Sequence, residues 1–377
     1  MRKTFAFKLY NSKKNKWLHK QIDAAASIYN YCIAMHKCYF KLWGKHLNKF
    51  QLQKHITKLK KRSRYTHWNL VPSQAIQDIT DRIARSYQLF FKYSRKGTRP
   101  PTFKKYKKYK SITLKQAGYK LLDDNKIMIG KKTYSLFKSR DIEGAIKTLT
   151  IKRDALGDVY LFFSCDVKDS EPNRIMTGKS AGFDFGLKIF LTSSDGTKID
   201  APLFFKKGSG AIKKASRLVS SKKKGSNNRS KARVHLARCH KKIANQRKDY
   251  HVKLAQKITQ EHDYLFFEDL TIKGMQRIWG RKISDLGFSA FMEMVGYYCQ
   301  LTGAQMQVID KFFPSSKMCH VCKKIYEALS LNERSWQCQG CNSLHDRDIN
   351  AAMNIAIVGA STIGLGNVRP PSVAISA

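Results

Sequence analysis

Carboxylates are scarce in this sequence. Asp and Glu together number 27 against 72 Lys and Arg, so the 377-residue chain carries a formal charge of +45. The apolar share, 42%, is still that of a folded protein, so the excess does not mark a disordered basic tail. A folded surface this positive repels itself until a polyanion neutralises it. That argues against an ordinary small-molecule enzyme and leaves nucleic acid or an anionic membrane as partner. Long apolar runs are missing too. No stretch reaches the roughly 18 residues of a membrane span. Met1-Arg2-Lys3-Thr4-Phe5-Ala6-Phe7-Lys8-Leu9-Tyr10 interrupts its apolar positions with charge, unlike a signal peptide. Nucleic acid is the stronger choice, and the protein is expected to stay where it is made.

The length suggests two or three domains, and no repeat of solenoid period is evident. Residues 2–10 set Phe5, Phe7 and Leu9 against Thr4, Ala6 and Lys8, the alternation of a half-buried strand. From about 16 to 93 the period is helical. Leu18, Ile22, Ala25, Ala26, Tyr29 and Ile33 form a first apolar stripe, 50–59 a second, and 72–91, with Ile76, Ile79, Ile83, Tyr87 and Phe90, a third. These stripes read as the core of a small helical lobe. Residues 92–110 hold nine Lys or Arg and no acid, interleaved with Tyr93, Phe103, Tyr106 and Tyr109. Such a mixture can track phosphates and stack on bases, whereas the alternative is a solvated loop with tucked-in aromatics.

Between 111 and 168, short apolar segments at 112–114, 126–129, 148–151 and 159–163 are separated by Asp, Gly and Asn. They predict antiparallel structure, a small barrel to which the N-terminal strand returns. The polar stretch 169–180 reads as a linker. Residues 206–250 hold sixteen Lys or Arg and one acid, Asp249, with apolar Leu218, Val234, Leu236 and Ile243. A pair of basic helices is expected there, turning at Lys222-Lys223-Lys224-Gly225-Ser226-Asn227-Asn228.

A carboxylate inside an apolar strand needs a reason in so basic a chain. Residues 181–191 read as one such strand around Asp184, followed by a hairpin turn at Ser194-Asp195-Gly196. Gly182 and Gly186 flank Asp184 on its own face and are expected to clear room for a polyanion and metal ions. In Tyr264-Leu265-Phe266-Phe267-Glu268-Asp269-Leu270 the two acids fall on opposite faces, and periodicity does not choose between them. A third cluster, His345-Asp346-Arg347-Asp348-Ile349-Asn350-Ala351-Ala352, opens an Ala-rich helix, with Asp346 as N-cap and Asp348 in the first turn. Three such carboxylates suit phosphodiester hydrolysis, holding two divalent ions roughly 3.5–4 Å apart. Mg²⁺ favours these hard oxygens.

Cys319-His320-Val321-Cys322 and Cys338-Gln339-Gly340-Cys341 are two Cys-x-x-Cys pairs separated by fifteen residues. Four thiolates at this spacing suit a structural tetrahedral Zn²⁺ with no open position, redox chemistry or free thiols being the alternatives. His320 offers a substitute ligand, although four cysteines suffice. Cys32, Cys38, Cys165, Cys239 and Cys299 read as ordinary reduced cysteines.

The order of these segments resembles the TnpB family of transposon-encoded nucleases, which is similar to the compact type V CRISPR effectors. The resemblance rests on Gly182-Phe183-Asp184-Phe185-Gly186-Leu187, on Phe267-Glu268-Asp269-Leu270 with Lys273-Gly274-Met275, and on Pro314-Ser315-Ser316-Lys317 before the cysteines. It continues in Asp346-Arg347-Asp348-Ile349-Asn350-Ala351-Ala352 and, more loosely, in Tyr29-Asn30, Trp68 and Pro100-Pro101-Thr102-Phe103-Lys104. It implies a multidomain α/β protein: a wedge β-barrel at 1–10 and 96–170, a helical recognition lobe at 11–95, and a RuvC-like, RNase H type nuclease at 178–314 and 346–360. A zinc ribbon that binds target nucleic acid would span 315–345, and a C-terminal tail 361–377. The family's acids fall on Asp184, Glu268 and Asp348, which makes Asp346 a cap rather than a ligand. Zinc would sit on Cys319, Cys322, Cys338 and Cys341, and two Mg²⁺ ions on the acids.

The resemblance further implies a guide RNA from the transposon, a target DNA duplex read beside a short flanking motif, one protein copy per RNA, no membrane, and a prokaryotic cytoplasmic, nucleoid-associated location. Nucleic-acid contacts are expected from Lys104, Lys105, Tyr106, Lys107, Lys108, Lys222, Lys223, Lys224, Arg229 and Arg233. Two departures stand out: Lys323 where the family usually has Gly, and Tyr298 where it usually has Lys. A nuclease-inactive RNA-guided repressor is the first rival reading, but such a descendant is expected to have lost an acid and this chain keeps all three. A transposase that performs strand transfer itself is the second. If the charge is a ribonucleoprotein surface, protein stripped of RNA will be poorly soluble at low salt; apoprotein that stays monomeric in low-salt sedimentation would refute this.

Overall fold

The computed structural model describes residues 2–122, 125–168, 174–330 and 333–364. The chain forms two units, Met1–Asp169 and Ser170–Ala377. Among the described residues no helix is long and apolar enough to cross a membrane. Of the expected tail at 361–377, residues 365–377 lie outside the described residues, as do 169–173 of the expected linker.

In the first unit, β1 (Arg2–Lys8) is followed by α1 (Asn15–Trp43), α2 (Lys49–Leu59) and α3 (Ser73–Tyr93). Six strands come next: β2 (Ser111–Leu114), β3 (Tyr119–Leu122), β4 (Lys126–Ile129), β5 (Lys132–Ser135), β6 (Ala145–Arg153) and β7 (Val159–Asp166). The N-terminal strand does return, pairing antiparallel with β7 so that Phe5 faces Phe163 and Phe7 faces Leu161. The strands form two antiparallel sheets, β1-β7-β6-β2 and β3-β4-β5, linked by a bridge between Leu9 and Leu136. The helical stripes are buried as their period required. Leu18, Ile22, Ala25 and Ile33 of α1 meet Ile76, Ile79 and Ile83 of α3 in one core that continues into Ile112, Leu149 and Phe163 of the sheet. Asn48 and Gln51 close a reciprocal capping box at the start of α2. Trp68, 1% exposed, donates its indole N–H to Ser27 Oγ at 3.1 Å.

The second unit opens with β8 (Ser180–Phe185), β9 (Ile189–Ser193) and β10 (Lys198–Asp200). The basic hairpin follows as α4 (Phe204–Ser221) and α5 (Asn227–Glu261), then β11 (Tyr264–Glu268), α6 (Ile272–Leu286), α7 (Phe288–Thr302) and β12 (Gln305–Ile309). A small hairpin, β13 (Ser335–Gln337) and β14 (Leu344–Asp346), leads into α8 (Arg347–Thr362). The main sheet runs β10-β9-β8-β11-β12, with β11 parallel to both β8 and β12 and the other pairs antiparallel. The segment 181–191 is therefore not one strand, as its composition suggested. It breaks at Gly186, where an added Cβ would stand 2.5 Å from the Ile189 carbonyl oxygen, and the chain turns back to pair Phe185 with Leu191.

The sheet is covered on both faces. On one, Phe183 and Phe267 stack at 5.1 Å and join Phe185, Phe190, Phe288 and Phe291 against α5 and α7. His251, 2% exposed, belongs to this cluster. Burial lowers its pKa to about 4, and its Nε2 lies 2.9 Å from the Leu286 carbonyl, so it is a neutral, hydrogen-bonded core histidine. On the other face lies α8. A Cβ on Gly182 would overlap the Ala352 carbonyl and the Ala356 backbone, and one on Gly359 would overlap the Phe266 ring. Gly182 thus clears room for a helix of the same chain rather than for a ligand, and Gly186 serves the turn; neither plays the part expected of it.

Buried Asp263 fixes how the chain reaches β8. Its Oδ2 accepts from Thr177 N at 2.5 Å, Thr177 Oγ1 at 2.9 Å and Gly178 N at 2.7 Å, while Oδ1 pairs with Arg174 at 2.7 Å. Asp285 does the same for α4, accepting from the N–H groups of Phe205 and Lys206 at 2.8 and 3.2 Å. Because the obstacle at Gly182 is backbone and cannot rotate away, Gly182→Ala is expected to cost about 1–3 kcal/mol or more. That would lower the melting temperature by about 2–4 °C per kcal/mol in thermal unfolding; an unchanged melting curve would contradict the packing described.

Candidate active site and metal centre

The register of β8 against β11 sets the geometry of the acids. Phe183 is level with Phe267, so Asp184 and Glu268 follow side by side on the α8 face, while Asp269 falls on the far side of the alternation and is exposed. Asp348 reaches this face from the first turn of α8. Asp184 registers its neighbours electrostatically. Burial first, then Asp348 and Glu268, push its pKa up to about 8, with Arg347 opposing. Glu268 is raised as well, by burial, against a hydrogen bond of 3.2 Å donated by Ser315 Oγ to Oε2. Asp346 is different in kind. Its Oδ1 accepts from Asp348 N and Ile349 N, both at 3.1 Å, and its Oδ2 pairs with Lys198 at 2.7 Å, so it is spent on capping the helix.

Arg334 escaped the sequence reading. Its Nη1 lies 3.1 and 3.2 Å from the two oxygens of Asp348, and its carbonyl accepts from Arg347 N at 2.8 Å. No spacing rule marks an arginine that meets its acid only after a hairpin has folded. The three carboxylates lie near one another on the α8 face, with Arg334 paired to Asp348. The donors are hard oxygens crowded with like charge, which fits a divalent cation. They do not close around one point: among the described residues, the four ribbon cysteines alone place three or more ligand atoms within 4.8 Å of one another.

Those cysteines sit on two matched turns. Cys319 to Lys323 closes with Lys323 N donating to Cys319 O at 3.0 Å, and Cys338 to Asn342 closes with Asn342 N donating to Cys338 O at 2.8 Å. Both Lys323 (φ 65°) and Asn342 (φ 57°) are left-handed, which explains why glycine suits the position that Lys323 occupies. The sulfurs of Cys319 and Cys341 stand 3.6 Å apart, and those of Cys322 and Cys338 3.5 Å apart. Zn–S bonds of about 2.3 Å make a tetrahedron with edges of about 3.8 Å, so the four thiols fit a metal such as zinc. His320, the substitute ligand, instead turns Nδ1 to Asn350 Oδ1 at 3.1 Å. Cys32, Cys38, Cys165, Cys239 and Cys299 are free thiols.

The basic segments are held rather than loose. Asn30 grips Lys104 at both ends of its peptide, accepting from Lys104 N at 2.8 Å and donating to Lys104 O at 2.9 Å, while Tyr29 OH donates to Thr102 O at 3.2 Å. Tyr29-Asn30 and Thr102-Phe103-Lys104, far apart in the sequence, are thereby joined in the fold. Lys104 Nζ lies over the Tyr29 ring at 4.8 Å, and Lys105, Tyr106, Lys107 and Lys108 are exposed beyond it. In the second unit Lys222, Lys223, Lys224 and Arg233 are exposed, whereas Arg229 donates to Lys222 O at 2.8 Å and closes the hairpin.

The chain is similar to known proteins. Residues 162–279 match the family OrfB_IS605, described as "Probable transposase", and residues 288–355 match the Cas12f1-like TNB domain. The chain therefore carries an OrfB-type region followed by a TNB domain, and the resemblance to TnpB drawn from the motifs is borne out. Among its relatives, a protein of Streptomyces pristinaespiralis named "Putative RNA-guided DNA endonuclease" is 36% identical over 59% of this chain and 56% of its own length. One of Escherichia coli K12, named "Putative RNA-guided DNA endonuclease InsQ", is 26% identical over 79% of this chain and 77% of its own. The chain thus spans little more than half of the Streptomyces relative. A cryo-EM structure of a Cas12f1–sgRNA–target DNA complex contains a chain that matches with a TM-score of 0.58 at 13% identity, covering 94% of this chain and 98% of that one. That likeness concerns the fold.

The raised pKa of Asp184 carries a stability consequence with a definite sign. A carboxyl that rises from 3.8 to about 8 on folding contributes stability below about pH 4 that is lost as the pH climbs towards 8. Asp184→Asn, measured in chelator, should raise the melting temperature at pH 8 and change it far less at pH 4; equal shifts at both would show that burial of charge is not the cause.

Proposed function

We propose that this protein is an RNA-guided DNA endonuclease of the TnpB type. Asp184, Glu268 and Asp348 form its nuclease site, and Cys319, Cys322, Cys338 and Cys341 its structural zinc ribbon. The observation that carries the reading is the gathering of three of the few acids on one face of the sheet, where burial first and then the other two acids raise the pKa of Asp184. The sheet order, with its first three strands antiparallel and β8, β11 and β12 parallel, supports an RNase H type nuclease. The names of the relatives support the same activity.

Two bound Mg²⁺ ions would supply an activated water and charge stabilisation at the leaving oxygen. The protein's own part is to place the acids. Asp184 is held on the central strand, Glu268 beside it at the end of β11, and Asp348 on the helix that crosses both. Arg334, paired with Asp348 at 3.1 and 3.2 Å, holds a guanidinium beside the acids and would supply positive charge to a phosphate bound there. Sequence specificity belongs to the guide RNA, which pairs with the target strand next to a short flanking motif. The exposed lysines at 105, 107, 108 and 222–224, with Lys104, Tyr106, Arg229 and Arg233, hold the two polyanions by their backbones. In this reading the first unit comprises the wedge domain and the recognition lobe, and one protein copy serves one RNA.

A plasmid-cleavage assay with RNA from the native locus tests the proposal. Asp184→Ala, Glu268→Ala and Asp348→Ala should each slow cutting at least about a hundredfold, while target binding, which depends on pairing, persists. Undiminished cutting by any of them would place the site elsewhere, and occupancy without cleavage in the unaltered protein would favour the repressor reading.

A further inference from the structure

The geometry points to His345 as a positioning residue that couples the ribbon's metal centre to the carboxylate site. His345 is 4% exposed, and its Nε2 lies 3.1 Å from Cys319 Sγ. A sulfur that holds a metal is a thiolate and can only accept, so Nε2 carries the proton and donates. The ring is wedged between Trp336, at 4.7 Å, and His320, at 4.9 Å, which fixes its direction. The next residue is Asp346, the cap of α8, and Asp348 follows two positions later. The histidine thus joins the metal-bearing turn to the first residues of the helix that presents an acid to the carboxylate site.

Two amides reinforce the joint. Asn350, 1% exposed, accepts from His320 N at 3.0 Å and donates to Met318 O at 2.7 Å. Asn354, also 1% exposed, donates to Met318 O at 2.6 Å and to Ser315 O at 2.9 Å, and Ser315 in turn bonds Glu268. One side of α8 therefore grips the turn that carries Cys319, and through it both Asp348 and Glu268 are tied to the cysteine cluster. The inference rests on the reading of those acids as holders of divalent ions.

The test uses the full-length protein with Co²⁺ in the ribbon and Mn²⁺ as probe of the carboxylates. His345→Phe removes the donor, and His345→Gln keeps an amide N–H at a similar reach. Loss of the N–H···S bond should move the thiolate-to-cobalt charge-transfer band to lower energy, weaken Co²⁺ binding about tenfold, and weaken Mn²⁺ binding read by EPR. The Gln variant should restore all three. A wild-type cobalt spectrum with one nitrogen and three sulfur ligands that loses its nitrogen in His345→Phe would make His345 a ligand and overturn the inference. So would an unmoved band in His345→Phe, or Mn²⁺ affinity that ignores the substitution. If Asp184→Asn leaves Mn²⁺ binding unchanged, the reading of the carboxylate site fails instead, and the cobalt band still decides whether His345 donates to the thiolate.

Discussion

The contact between α8 and β8 is the constraint on which the second unit depends. Two backbones approach at Gly182 with no side chain between them, and alanines of the helix lie where a larger residue would hold it off. Only at that separation does the first turn of α8 bring Asp348 over the strand that carries Asp184. Gly359 repeats the arrangement one strand across, admitting the Phe266 ring. The helix is thereby seated at two points, and its tilt over the paired strands is set by the smallest residues available.

Scarce acids are used here in two opposite ways, and the direction of their proton affinity separates them. Asp263 and Asp346 meet the cost of burial with backbone N–H donors and a cation, and both fall below the usual carboxylate range. Asp81, shared by Lys49 and Lys115, falls likewise. Asp184 and Glu268 are instead burdened by burial and by other acids, and both rise. A protein with so many lysines and arginines had cations to spare for every carboxylate. Two acids whose proton affinity is raised by burial and by other acids are candidates for a functional site.

Much of this was legible in the residue order because it follows from local periodicity. The stripes of α1, α2 and α3, the alternation of β1, the N-cap at Asp346 and the paired cysteine turns are all written within a few residues of one another. What escaped depends on partners far apart in the chain. The break at Gly186 was hidden because apolar residues continue on both sides of the turn. The role of Gly182 needed α8, which lies about 170 residues downstream in the same unit. Composition could not choose between Glu268 and Asp269, whereas the register with β8 places Glu268 beside Asp184. Arg334 and His345 act across a hairpin that spacing does not reveal, and Asn350 and Asn354 were visible only as polar residues one turn apart in an otherwise small and apolar helix.

The helical hairpin of α4 and α5 has a mechanical consequence. Its two limbs are joined by small contacts: Ala215 and Ala232 are buried, and nearer the root Gly208 allows Ile243 within 2.6 Å of where a side chain would stand. Two helices lined with like charge are thus pressed together by shape, against their mutual repulsion, and pinned at the base by Asp285 and Arg247. Negative charge placed along such an arm would relieve the repulsion that otherwise tends to spread its two limbs.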